Sequence, residues 1–118
     1  MRPRDPRVYL SESIEAADRI TSFIHGRSLE DYESDVMLRS AVERQFEIIG
    51  ESLRRLEDVS PEVATLISSR RRIIAFRNQL AHGYFAIQDD VVWAIAQNDL
   101  RRLIDELRLA LARSSGSS

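Results

Sequence analysis

Between residues 38 and 56 the chain places Leu38, Val42, Phe46, Ile49, Leu53 and Leu56 at intervals of four, four, three, four and three. Apolar positions at that spacing fall on one side of a helix. The stretch therefore predicts a long helix from about Asp35 with a continuous buried stripe. A smaller apolar line, Met37, Ala41 and Ile48, sits to one side and could meet another helix or another subunit. The same periodicity recurs at both ends of the chain. Leu10, Ile14, Ala17, Phe23 and Ile24 follow Asp5-Pro6, an N-cap and first-turn proline, and that helix should stop at His25-Gly26. Val92, Ile95, Leu100, Leu103 and Leu107 mark the last helix, which Asn98-Asp99 should bend. Ile73, Phe76 and Leu80 give a shorter helix from Arg70, which Gly83 would cap. Ser28 to Asp31 should cap a short turn, and Ser60-Pro61 should restart a helix running to about Ser69. Phe85 and Ile87 fall in a loop before a cap at Asp89 or Asp90, with Trp93 packing in the core beside the loop at Tyr84. The chain reads as all-α.

One glycine interrupts the clearest pattern. Gly50 inside a helix costs about 1 kcal/mol relative to alanine, which predicts close approach of a neighbouring helix. Glu51 beside it reads first as a solvated helical glutamate and only second as a functional one.

Composition narrows the rest. The 118 residues show no internal shift, so residues 1–113 make one domain and 114–118, a serine-glycine run, make a flexible tail. A net charge of −2 means that any nucleic-acid contact must come from a local patch. All 17 basic residues are arginine, which reads first as a codon bias. Cysteine is absent and the two histidines stand apart, so no metal site and no cofactor is expected. The N-terminus lacks a signal peptide's apolar core and no apolar run approaches membrane length. A cytoplasmic protein without membrane contact is the expectation.

Chemistry concentrates in Arg70 to Phe85, RRRIIAFRNQLAHGYF. Arg71, Asn78 and His82, seven and four apart, form a polar stripe. Arg77 lies about 140° around the axis from His82, at roughly 100° per residue. Ile74 and Ala81 run between them, a weakly apolar strip over which a cleft or a partner helix could sit. Arginine offers a planar, permanently charged fork for phosphate oxygens. Histidine exchanges protons near neutral pH. Together they suit attack of a ribose 2′-hydroxyl on its adjacent phosphate, a reaction that requires RNA. The chain also contains its own control: Arg19 precedes His25, and His25 precedes Gly26. Histidine in a last helical turn is favoured simply by the helix dipole.

RNQLAHGY resembles the signature of the HepT-like HEPN ribonuclease toxins: Arg, a polar residue, three more, His, any residue, Tyr. EIIGESLRRL at 47–56 resembles that family's second-helix segment, and DDVVWAIAQNDLRRLIDEL at 89–107 its last helix. ISSRRR at 67–72 departs from the family's usual proline-and-tryptophan segment. The resemblance implies an up-down HEPN bundle of about four long helices plus a short one. It implies a metal-independent endoribonuclease toxin with Arg77 and His82 as the catalytic pair, and Asn78 and Arg71 on the RNA phosphate. It also implies a homodimer, and a hetero-oligomer with an MntA-type minimal nucleotidyltransferase antitoxin that adds AMP to Tyr84. Two other classes compete: a non-catalytic HEPN module that binds RNA or nucleotide beside a partner nucleotidyltransferase, and a purely structural helical dimer.

Overall fold

A computed structural model describes the backbone of residues 5–82 and 88–116 and the side chains of 5–80 and 88–114. Within those residues the fold is all-α: α1 (Pro6–Ile24), α2 (Leu29–Ser34), α3 (Val36–Val59), α4 (Pro61–Ala64), α5 (Arg70–His82), α6 (Asp89–Asn98) and α7 (Leu100–Gly116). The four longest, α1, α3, α5 and α7, are the predicted up-down bundle, and α3 is its centre. It packs on α1 along one side and on α5 along another, while α7 covers α1.

Local chemistry explains most boundaries. The Asp5 carboxylate accepts from the Arg7 amide, and Pro6 opens α1. The helix ends where Gly26 takes φ +72°, which glycine adopts without strain. A full capping box closes the start of α2, between Ser28 and Asp31. Asp35 caps α3 through the Leu38 amide.

Three boundaries differ from the sequence expectation. The helix restarted at Ser60-Pro61 lasts only to Ala64; Ser60 makes no side-chain cap bond, and a turn intervenes before α5. The cap of α6 is Gln88, with Asp89 and Asp90 in the first turn, where their charge favours the helix dipole. The predicted bend at Asn98-Asp99 is a break between α6 and α7. At its far end α7 runs on to Gly116, with the Ser114 hydroxyl donating to the Ala110 carbonyl at 2.9 Å.

All six stripe residues of α3 are buried, together with Ile73 and Phe76 of α5 and Val92, Ile95, Leu100, Leu103 and Leu107. Phe46 and Phe76 meet edge to face at 5.3 Å, locking α5 to the middle of α3. Trp93 is half-buried against Tyr32 of α2, with ring centroids 5.5 Å apart. Tyr32 is fully buried, a core residue the periodicity does not single out. In contrast, Met37 remains 82% exposed. Among the described residues no helix is long and apolar enough to cross a membrane.

Candidate active site on α5

Because α5 runs antiparallel to α3, its arginines meet α3 acids in reverse order. Near the start of α5, Arg70 donates from Nε to Glu57 at 3.1 Å. Two turns on, Arg77 Nη2 pairs with Glu51 Oε2 at 3.1 Å. Of the arginine triplet, Arg72 reaches across to Asp99 at 3.2 Å, while Arg71 stays exposed with no ion-pair partner among the described residues. Two of the three are thus paired with acids of their own chain.

Arg77 owes its position to Gly50. A Cβ built at Gly50 would lie 2.2 Å from Arg77 Cβ and 2.7 Å from its Cγ, far inside contact distance. It would also crowd the Ile73 carbonyl at 3.3 Å. Only a glycine lets the arginine stem lie on the α3 backbone there. The close approach predicted for Gly50 is therefore an approach of Arg77 itself.

From that stem the guanidinium is held on two sides. Besides the Glu51 pair, its Nη1 donates to Asn78 Oδ1 at 3.1 Å. An arginine carries five N–H donors, and Nε makes no hydrogen bond among the described residues. With 29% of its side chain exposed, Arg77 is fixed yet still open to a ligand.

Glu51 gathers more than one cation. Its Oε1 accepts from Arg55 Nε at 2.9 Å and lies 3.4 Å from Arg54 Nη2. Partial burial by itself would raise its carboxyl pKa. Hydrogen bonds from Arg55 and Arg54, with the charges of Arg54 and Arg77, outweigh that and hold it below the usual glutamate value. Arg54 has a second acid, Asp58, at 3.6 Å. Three arginines thus share two carboxylates, which leaves this cluster with one positive charge in excess on an acidic chain.

Asn78 is exposed beside Arg77, on the same stripe as Arg71. His82 lies in α5 five residues beyond Arg77. The side chains of Ala81 and His82, and all of residues 83–87 with Tyr84, lie outside the described residues. The structure thus brings Arg77 and Asn78 together, and adds Glu51 and Gly50 from α3. The sequence signals for Glu51 were its spacings to Arg54 and Arg55, three and four positions on; its contact with α5 has no local trace.

The control histidine sits elsewhere. His25 is exposed at the end of α1 and lines an open groove of about 590 Å³ with Arg27, Gln97 and Arg101. Arg19 makes one long contact, from Nη1 to Gln45 Oε1 at 3.5 Å.

Known proteins resemble this chain along most of its length. A family model described as "Ribonuclease HepT-like" matches residues 13–110. "Putative RNase MJ1380" of Methanocaldococcus jannaschii is 28% identical over 109 residues, spanning 92% of this chain and 99% of that protein. "Putative RNase TTE0752" of Caldanaerobacter subterraneus subsp. tengcongensis is 26% identical over 110 residues, 93% of this chain and 97% of its own. "Probable ribonuclease HepT" of Thermococcus cleftensis is 29% identical over 104 residues, 85% of this chain and 90% of its own. No solved structure matches the chain significantly.

Proposed function

This chain belongs to the HepT-like ribonuclease family, and we propose that it is a metal-independent endoribonuclease in which Arg77 and His82 form the catalytic pair. The observation that carries the reading is the anchored, half-exposed guanidinium of Arg77, with donors left over for a phosphate oxygen. Arg77 binds the scissile phosphate and neutralises the charge that develops on it. His82 takes the proton of the 2′-hydroxyl as the O2′–P bond forms, and a proton is delivered to the departing O5′ as the P–O5′ bond breaks. The products are a 2′,3′-cyclic phosphate and a 5′-hydroxyl. Asn78 orients the fork, and Arg71 holds a neighbouring phosphate on the same stripe.

The active species in this reading is a homodimer. Ile74 is only partly covered by its own chain. A two-fold contact along Ile74 and Ala81 would bring both copies of Arg71 and Arg77 to one groove. Regulation follows from the position of Tyr84, two residues beyond His82. An MntA-type nucleotidyltransferase antitoxin would transfer AMP from ATP to its hydroxyl. The added phosphodiester would occupy the arginines that otherwise take RNA. The test is incubation with total RNA in EDTA, beside an Arg77→Ala, His82→Ala double variant. Cleavage by the first and none by the second is expected; equal cleavage by both overturns the reading.

A further inference from the structure

The strongest feature that the catalytic pair does not account for is the carboxylate of Glu51. An acid beside a phosphate-binding arginine weakens anion binding, because it repels the ligand and occupies donors. Here it lies at the point where α5 comes closest to α3. At Gly50, the residue before it, a side chain would hold the arginine stem away. Its two oxygens divide their partners, Oε2 to Arg77 and Oε1 to Arg55 and Arg54. A free arginine side chain samples many rotamers, and a fork that must meet a phosphate in one orientation gains from being fixed beforehand.

We propose that Glu51 is a positioning residue for Arg77: it holds the guanidinium against α3 at Gly50, so that the remaining N–H groups face the scissile phosphate. The same carboxylate keeps Arg54 and Arg55 beside Arg77. These two arginines then serve as a flanking subsite for the next phosphodiester of the RNA chain. The proposal rests on the reading of Arg77 as the phosphate-binding catalytic arginine.

Glu51→Gln tests it, because the variant keeps shape and one acceptor while removing the charge. If Glu51 positions Arg77, kcat falls on the order of 10- to 100-fold. Meanwhile KM stays level or falls, since one negative charge has left the three arginines. Loss of folded protein alone would instead lower the apparent kcat at constant KM and shift the melting curve. In an Arg77→Ala background, Glu51→Gln should change single-turnover cleavage by less than about twofold. Full kcat in the single variant, or the same proportional loss in both backgrounds, overturns the proposal. Glu51→Asp, charged but shorter by one methylene, should lose kcat like Gln; wild-type activity there also counts against positioning. A nitrogen-15 spectrum of the Arg77 Nε–H group separates the two readings. A signal that shifts or broadens in Glu51→Gln shows the anchor whether or not the protein cuts RNA. An unchanged signal removes the anchor. Wild-type cleavage by Arg77→Ala removes the catalytic role of Arg77 instead.

Discussion

Two segments of this chain carry an arginine, a histidine five or six residues on and then a glycine, and the fold treats them in opposite ways. Arg19, His25 and Gly26 close α1, where the histidine is exposed and the arginine makes, among the described residues, a single long hydrogen bond to Gln45 at 3.5 Å. Arg77 and His82 belong to α5. There the arginine lies over Gly50, pairs with Glu51 and donates a further bond to its neighbour Asn78. Spacing is nearly shared; support is not. A side chain becomes a catalytic candidate when a second element fixes it and leaves donors over. The α1 segment has a helix end and no such element. Its glycine serves the turn, at φ +72°, whereas Gly50 serves an approach between helices.

The largest expected difference is in catalysis. Arg77→Ala should lower RNA cleavage by about 10²–10³-fold, the scale of losing one donor to a developing oxyanion. Arg19→Ala should leave the rate within about twofold, as surface substitutions do. Circular dichroism should show both folded. Comparable losses in the two variants would erase the distinction between the segments.

Next come the glycines. Gly50→Ala forces a Cβ into the Arg77 stem, and overpacking of that kind costs about 1–3 kcal/mol. Activity should fall further than the lost stability explains, because Arg77 moves with the helix. Gly26→Ala places a side chain in the left-handed region at about 1–2 kcal/mol, with cleavage per folded molecule unchanged. Thermal melts paired with rate measurements decide between them.

A smaller effect marks a site outside both segments. Burial first, then the charges of Asp89 and Glu47, raise the Glu43 carboxyl pKa above its ordinary value. The folded state therefore holds that proton more tightly than the unfolded chain. This contribution favours folding below the unfolded pKa and is lost as pH rises through the folded one. Glu43→Gln should flatten that part of the pH–stability curve, and because solvent screens this partly exposed group the gain near neutral pH stays within about 0.5 kcal/mol. A curve that keeps its slope would place the titration elsewhere.

Much of the fold was legible because helical cores repeat locally. The Leu38-to-Leu56 stripe is buried along its whole length, and Asp5, Ser28 and Asp35 cap the helices that follow them. What the sequence could not show depends on partners far along the chain. Tyr32 belongs to no apolar stripe, and its burial depends on α6 bringing Trp93 to it. The short α4 looked longer because Ser60-Pro61 signals a start and nothing nearby signals a stop. At the site, Arg77 and Asn78 were visible as a motif on one helix. Glu51 was ambiguous because its spacing to Arg54 and Arg55 is that of any surface pair; the contact with Arg77 joins residues 26 positions apart. Gly50 announced a close approach without naming the residue that approaches.

The claim that chemistry lives on α5 and not on α1 is tested most directly by one measurement. Single-turnover cleavage of a short RNA in EDTA, with the new ends identified by mass spectrometry, should be compared for wild type, His82→Ala and His25→Ala. Wild type and His25→Ala should cut at matching rates and leave 2′,3′-cyclic phosphates, while folded His82→Ala loses cleavage by about 10²–10⁴-fold, the range for a missing general acid–base. Full activity in folded His82→Ala, or a comparable loss in His25→Ala, would contradict the account.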